Sequence, residues 1–216
     1  MARLFSYVVQ TDYGSAPNSF WDACTLVICK PKIRRSAGVG DWIVGTGPAS
    51  SPLGDIRGMM VYAMQVTDKM PMPEYDAWAR KHRPEKIPNP GSIDPKRHVG
   101  DAIYDFAEDP PRVRPGSVHS VFDRERDLSG HFALISEHFY YFGDRPIALP
   151  EHLQGMVQRT QGHRSTSNTP YLQPFLNWLA ELDIPINTLY GRPLAWLIGP
   201  PAPPQVIPLG TRSRRL

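Results

Sequence analysis

Two neighbouring stretches decide the fold: GVGDWIVGTG at residues 38–47 and GMMVYAMQVTD at residues 58–68. In the first, Gly40 and Asp41 make a turn, and Trp42 and Val44 then alternate with Ile43 and Gly45, as side chains do along a strand. The second is a long apolar run that follows a loop rich in Pro, Ser and Gly. We therefore predict a hairpin-like pair of strands.

Further strands and helices are predicted on both sides of this pair. The apolar pattern predicts strands at 4–9, at 24–29 and within 131–149. Pro31 favours a short helical turn at 30–37, because a proline at the first helical position removes no hydrogen bond. Helices are also predicted at 73–82, at 150–159 and after residue 168, where Leu172, Phe175, Leu176 and Leu179 form an apolar stripe. The fold class is α+β, with a curved antiparallel sheet and flanking helices.

The composition predicts one domain at residues 1–198, followed by a Pro-rich, basic arm at 199–216. Within the domain, residues 84–130 are rich in proline and in charges of both signs, and we expect them to form a long inserted loop region. The arm could bind a protein partner. The oligomeric state is left open by the sequence.

Several classes of protein are disfavoured. The chain has 216 residues and a net charge of +3, and it contains no apolar run of the roughly 18 residues that a membrane span needs. No signal peptide is recognisable, so we expect a cytoplasmic protein without a membrane partner. The two cysteines are predicted to be reduced. No HxH, HExxH or CxxC spacing occurs, so neither a metal site nor a cofactor is predicted.

Three segments carry candidate binding residues. The run from Lys30 to Arg35 could contact phosphates, or it could be an ordinary solvated surface. The loop at 12–21 combines a carboxylate, an amide and two large aromatic side chains, which together could stack a base and bind its polar edge. The segment QGHRSTSN at 161–168 could bind an anion or simply cap the following helix.

These segments together resemble a known family. DYGSAPNSFWDACTLVICKPKIRRSAGVGDWIVGTG at 12–47, SEHFYYFGDRPIALP at 136–150 and GHRS at 162–165 resemble the nucleotide modification associated domain family of the second type. The strand pair is also similar to PUA-like barrels of the EVE and ASCH type, which hold a modified base in a cleft. The resemblance implies a small PUA-like β-barrel and a role in DNA base modification or phage defence, with a nucleotide or a modified base in nucleic acid as the partner.

The resulting hypothesis is recognition or modification of a nucleotide or base. Trp21 or Trp42 would stack the base, and Asp12 and Asn18 would bind its edge. The remaining predicted binding residues are Lys30, Arg34, Thr46, His163, Arg164 and Ser165.

Two alternatives stay open at this point. One is an enzyme that uses Cys24 or His163 for nucleophilic or acid–base chemistry, with Asp12 as the partner carboxylate. The other is a non-catalytic scaffold subunit of a modification complex. Nothing in the sequence decides whether the protein is an enzyme.

Overall fold

The predicted turn and strand pair are present in the computed structural model, which describes residues 2–199. Gly40 has a φ of +90°, a conformation that glycine adopts without strain. The Asp41 carboxylate accepts hydrogen bonds from the backbone N–H groups of Gly38 and Arg3, which fixes the turn against the start of the chain. Residues 200–216, nearly all of the predicted arm, lie outside the described residues.

The longer helices and strands lie where the sequence patterns predict them. The strands in chain order are β1 (Leu4–Val8), β2 (Cys24–Leu26), β3 (Trp42–Thr46), β4 (Met59–Gln65), β5 (Asp68–Pro71), β6 (Tyr104–Asp105), β7 (Arg112–Val113), β8 (Phe132–Ser136), β9 (Phe139–Tyr141), β10 (Ile147–Ala148) and β11 (Thr188–Leu189). The α-helices are α1 (Pro31–Ser36), α2 (Met72–His82), α3 (Arg124–Leu128) and α4 (Leu172–Glu181). Short 3₁₀ helices lie at Pro84–Lys86, Pro95–Val99, Val121–Asp123, Glu151–Met156, Thr166–Tyr171 and Leu194–Ile198.

The strands form two larger sheets and one small pair. The main sheet has the order β1-β3-β4-β9-β11, with β10 also paired to β4. The second sheet has the order β2-β8-β5, and β6 pairs with β7. Strands β3 and β4 are antiparallel, as predicted, but β1 is parallel to β3 and β11 is parallel to β9. The main sheet is therefore mixed, and the predicted antiparallel arrangement holds for β3, β4, β9 and β10 but not for β1 and β11.

The mixed topology has a simple origin. Between β1 and β3 the chain leaves the main sheet, contributes β2 to the second sheet and forms α1 before it returns. Parallel neighbours need such a long crossover, whereas a tight turn joins only antiparallel strands. Within residues 2–199, β1 and β11 remain the edges of the main sheet, so the predicted closed PUA-like barrel is not confirmed.

The two sheets stack between helices. On one face of the main sheet, Phe5 and Ile43 pack against Leu26 and Leu134 of the second sheet. The opposite face packs against α4. The outer face of the second sheet is covered by α2 and by residues 102–104. The alternation predicted along β3 is confirmed, because Ile43 lies between the sheets while its neighbours face α4.

Residues 84–130 are not a peripheral insertion. Ile103 and Tyr104 are buried in the core, and the charged side chains of Lys86 and Asp101 are completely buried beneath the second sheet. Arg114 forms a largely buried ion pair with Asp76 of α2, with a distance of 2.6 Å between nitrogen and oxygen. The predicted Pro-rich insertion is therefore not confirmed, since the segment builds one layer of the fold.

Two other local predictions are corrected. The helix predicted at 150–159 is a 3₁₀ helix at Glu151–Met156. The strand predicted at 24–29 ends at Leu26, because Cys29 and Lys30 take left-handed conformations, with φ values of 58° and 38°, and turn the chain into α1. Pro31 begins that helix as predicted. In the described part of the chain, no helix has both the length and the apolar character that a membrane crossing requires.

Candidate functional site

The basic run before the Gly-Asp turn divides between the interior and the surface. Arg34 is completely buried. Its guanidinium donates hydrogen bonds to the backbone carbonyls of Cys29, Phe132 and Asp127. With these donors already used inside the protein, the structure argues against the predicted phosphate contact of Arg34.

Asp12 is also an interior residue. Its carboxylate accepts hydrogen bonds from the Tyr141 hydroxyl at 2.6 Å and from the backbone N–H groups of Gly14 and Leu194. Burial raises the pKa of Asp12 to about 6, although these hydrogen bonds act in the opposite direction. Asp12 therefore holds the loop in place, and its geometry argues against reading a base edge or serving as a catalytic carboxylate.

Asn18 is an interior residue, whereas Trp21 lies at the surface. The Asn18 amide is buried and donates to the carbonyls of Gly14 and Val99, both at 2.9 Å. Trp21 is half-buried and lines a separate cavity with Lys96 on another part of the surface. Asp12 and Asn18 therefore lack the exposure that contact with a base edge requires, whereas Trp21 is accessible from a cavity.

Trp42 and Thr46 belong to the core of the main sheet. The Trp42 ring meets His138 and Phe175 edge-on, with ring centroids 5.1 and 5.9 Å apart. Thr46 is completely buried, and its hydroxyl donates to the carbonyl of Tyr7. Both side chains lack the exposure that contact with a nucleotide requires.

Cys24 is unsuited to the nucleophilic role considered for it. The thiol is completely buried and lies 3.3 Å from the Ser19 hydroxyl and 3.8 Å from the Met64 sulfur. Burial raises the pKa of Cys24 to about 12. No imidazole contacts it in the described residues, so nothing there promotes formation of the thiolate, which is the reactive form.

The GHRS segment places one predicted residue at the surface beside the basic run. His163 is half-buried, and its ring lies 6.0 Å from that of Phe5. Burial, together with the charges of Lys32 and Lys30, lowers the pKa of His163. His163 is therefore mostly neutral at physiological pH.

The next residue, Arg164, anchors this segment to β1. The backbone N–H and carbonyl groups of Arg164 and Ser6 are hydrogen bonded to each other. The Arg164 side chain donates to Asn168 at 3.3 Å, and Ser165 is half-buried beside it. Of the predicted binding residues, the structure brings Lys30 and His163 into one cavity.

Three adjoining cavities surround the end of β1, and we call them together the cleft. The lysine cavity, of about 560 Å³, is lined by Cys29, Lys30, Lys32, Arg126 and His163. The central cavity, of about 270 Å³, is lined by Tyr7, Gln10, Tyr13, Cys29, Lys30 and His119. The arginine cavity, of about 560 Å³, is lined by Val8, Gln10, Ser50, Arg57, Gln154 and Arg159. Cys29 and Lys30 line both the lysine and the central cavity, and Val8 and Gln10 line both the central and the arginine cavity.

The cleft is basic. Among the described residues that line its cavities, none is Asp or Glu. Arg57 and Arg126 form exposed ion pairs with Asp55 and Asp123, which lie outside the lining. Within residues 2–199, no acidic side chain pairs with the remaining Lys and Arg side chains of the lining, which are Lys30, Lys32 and Arg159.

A cysteine, a histidine and an aspartate form a hydrogen-bonded series where the lysine and central cavities meet. The Cys29 sulfur lies 3.5 Å from Nε2 of His119, and Nδ1 of His119 lies 2.5 Å from an Asp127 carboxylate oxygen. Asp127 is completely buried, and it also accepts hydrogen bonds from the Tyr104 hydroxyl and from the backbone N–H of Cys29. The imidazole is thus oriented by the carboxylate and directed at the thiol.

The electrostatics of this series favour a charged imidazole. Burial lowers the pKa of His119, but its hydrogen bonds to Asp127 and Cys29 outweigh burial and raise the pKa to about 10. Burial also raises the pKa of Asp127, yet the hydrogen bond and charge of His119 bring it below the usual value. His119 and Asp127 therefore form an ion pair at neutral pH. The described residues include no group of three His, Cys, Asp or Glu side chains arranged to hold a metal ion.

Reasoning from the sequence missed His119 and Asp127. Both lie in the segment 84–130, where Ser120 caps the short helical stretch that leads into α3 and fixes the spacing between them. They are separated from Cys29 by 90 residues or more, and no local spacing marks them. The one sequence feature that pointed to this site was Cys29, which directly precedes the basic run.

Comparison with known proteins identifies the family. The model of nucleotide modification associated domain 2 matches residues 1–199. The chain belongs to this family. No curated protein and no solved structure matches it. The nucleotide modification associated domain 2 family thus links the chain to nucleotide modification, while the roles of the residues around the cleft rest on their geometry alone.

The ion pair predicts a pH dependence of stability. The folded pKa of His119, about 10, lies above the ordinary value of 6.5, so the stabilisation is fully present below pH 6.5 and is lost as the pH rises through about 10. We expect His119→Gln to reduce stability most near pH 6 and least above about pH 10. Urea unfolding of both proteins across this range measures the difference. The control is His152→Gln, which replaces an exposed histidine. A difference in stability between wild type and His119→Gln that stays constant across this pH range would contradict the ion pair.

Proposed function

We propose that this member of the nucleotide modification associated domain 2 family binds a nucleotide, or a base within nucleic acid, in the cleft. The observation that carries the proposal is the series of cations along three adjoining cavities whose described lining contains no carboxylate. Phosphate groups are the common anionic part of every nucleotide, and Lys and Arg side chains are their usual partners. The family membership supports the same ligand class.

The dimensions of the cleft suit this ligand. The lysine and arginine cavities, at about 560 Å³ each, fall within the range of small-molecule sites. Tyr13 lines the central cavity and is 47% exposed, so its ring offers a surface on which a base can stack. Tyr13 thus takes the role that the sequence assigned to Trp21 or Trp42. Lys30 is assigned to the phosphate, as in the sequence-based hypothesis, and His163 lies in the same cavity.

Charge removal within the cleft tests the proposal. Lys32 and Arg159 are exposed and lie in different cavities. We expect the double variant Lys32→Ala/Arg159→Ala to bind a fluorescent single-stranded DNA oligonucleotide about tenfold more weakly. The slope of log affinity against log salt should fall by about 0.7 for each phosphate that the variant no longer neutralises. Fluorescence anisotropy over a salt series measures both quantities.

A matched control separates the cleft from net charge. Lys81 and Arg145 are exposed, lie outside the cleft and carry the same total charge. The variant Lys81→Ala/Arg145→Ala should bind within about twofold of wild type, since distant exposed charges are largely screened. Equal losses in the two double variants would show attraction by net charge alone and would overturn the cleft as the binding site.

A further inference from the structure

One group in the cleft is not needed for binding. The Cys29 thiol lies between the lysine and central cavities, where it is partly exposed and in contact with the His119 imidazole. A cysteine placed only for packing needs neither an oriented imidazole nor access to a cavity. Cys24 is such a packing cysteine, because it is completely buried and contacts no imidazole in the described residues.

The backbone also holds Cys29 in an unusual way. Its φ of 58° lies in the left-handed region, which costs a non-glycine residue free energy and persists only where surrounding contacts enforce it. Here the Arg34 guanidinium donates to the Cys29 carbonyl, and the Asp127 carboxylate accepts from the Cys29 N–H. The carboxylate that orients His119 therefore also positions the cysteine, so thiol and imidazole are fixed relative to each other.

We propose that Cys29 is a nucleophile, with His119 as its acid–base partner and Asp127 as the positioning residue, and that the site cleaves or transfers an acyl group carried by a nucleotide or nucleic acid. The identity of the acylated substrate rests on the proposed binding function. The reactivity of the Cys29 thiol does not depend on that function. A protonated imidazole beside a cysteine stabilises the thiolate, which is the attacking species.

The chemistry balances without a cofactor. The Cys29 sulfur forms a bond to the carbonyl carbon of an ester or amide, and the π electron pair moves to the oxygen. As the carbonyl reforms, the bond to the leaving alcohol or amine breaks, and that group takes the proton from Nε2 of His119. Water then attacks the thioester and gives its proton to Nε2. The sulfur leaves as thiolate, so the net reaction is hydrolysis; an amine in place of water would give transfer.

The two cavities beside Cys29 match the two parts of such a substrate. The central cavity is the smaller, at about 270 Å³, and its partly apolar walls suit an acyl group. The lysine cavity is about twice as large and holds the cations suited to a nucleotide phosphate. Lys30 lines both cavities and supplies a positive charge near the carbonyl oxygen that becomes negative during attack.

An activated ester without any phosphate tests the thiol separately from nucleotide binding. We expect p-nitrophenyl acetate to give a burst of one nitrophenolate per protein and one acetyl group on Cys29, located by peptide mass spectrometry. Cys29→Ser should abolish the burst. His119→Gln should slow acylation at neutral pH by about a hundredfold or more. His152→Gln should behave as wild type.

The outcomes separate the two proposals. Thermal melts confirm that each variant is folded, and His119→Gln is the informative change because it leaves the buried Asp127 in place. Acetylation of Cys24 or of lysines instead of Cys29, no burst, or an unchanged rate in folded His119→Gln would each overturn the nucleophile. Such a result together with intact DNA binding would leave the proposed function standing. Normal acylation with no binding of DNA or nucleotide would overturn the proposed function and leave the reactive thiol.

Discussion

Replacing Arg34 with alanine is expected to lower the free energy of unfolding by about 3–5 kcal/mol. Arg34 is completely buried, and it donates to the carbonyls of Cys29, Phe132 and Asp127. Each buried acceptor that loses its donor costs about 1–3 kcal/mol, and removal of the long side chain also leaves a cavity. Urea unfolding at neutral pH measures the loss.

The adjacent residue provides a matched control. Arg35 is exposed, and its guanidinium donates to the carbonyl of Ser129. Arg35→Ala should therefore change stability by less than about 0.5 kcal/mol. A similar small loss for Arg34→Ala would show that its internal hydrogen bonds contribute little. A large loss for both variants would show that burial does not distinguish the two positions, since alanine is the better helix former and helix propensity cannot account for a loss.

Arg34→Ala also tests how the cleft is built. The guanidinium connects the carbonyl of Cys29 to those of Asp127 and Phe132, so it ties the turn before α1 to the chain that carries Asp127. Gly130 supports this arrangement, because a Cβ there would overlap the guanidinium. At a urea concentration where the variant is still folded, its Cys29 should react with p-nitrophenyl acetate more slowly than in wild type. Within the basic run, Arg34 thus supports the cleft from the interior through its hydrogen bonds, whereas Lys30 lines the cavities directly.

The sequence predicted those parts of the fold that depend on neighbouring residues. The turn at Gly40, the alternation along β3 and the start of α1 at Pro31 follow from local backbone preferences and from the periodicity of apolar side chains. Which strands meet is not a local property. Strand β2 pairs with β8, more than a hundred residues later, and this pairing makes β1 and β3 parallel neighbours.

The site prediction failed mainly because the sequence does not show which polar and aromatic residues are buried. Trp42, Asn18 and Arg34 were assigned to a ligand because they are residue types that bind bases and phosphates. Each is buried by a distant element: Trp42 by α4, Asn18 by Lys86 and Val99, and Arg34 by the chain around Asp127. No pattern within a short stretch of sequence indicates which polar residue such an element will cover.

The segment 84–130 shows the same difficulty. Its prolines and mixed charges are typical of a surface loop, yet it supplies His119 to the cleft, the buried Asp127 that orients His119, and Lys86 and Asp101 to the interior. Charged residues are buried only where they are paired or fully hydrogen bonded, and those partners come from other parts of the chain. The chemistry of the site therefore depends on a segment whose composition gave no reason to examine it.

The second large effect is expected at Lys86, where replacement by methionine should lower the free energy of unfolding by about 3–5 kcal/mol. The Lys86 ammonium is completely buried and lies 2.7–2.9 Å from four oxygens, which belong to Asn18, Ala23 and Thr25. Methionine fills a similar volume but donates no hydrogen bond, so the change isolates the ammonium. Lys81→Met, at an exposed position of α2, is the control and should change stability by less than about 0.5 kcal/mol.

The buried carboxylate of Asp101 provides a second test of the role of Lys86. The Thr25 hydroxyl accepts a hydrogen bond from Lys86 and donates at 2.5 Å to Asp101, which also accepts from the Tyr75 hydroxyl. Without the ammonium, the charge of Asp101 is uncompensated in the core. Asp101→Asn should therefore cost clearly less in the Lys86→Met background than in wild type, and a double-mutant cycle by urea unfolding should give a coupling free energy of about 1–3 kcal/mol. Strict additivity of the two changes would contradict an electrostatic link and would reduce Lys86 to a hydrogen-bond donor for the oxygens around it.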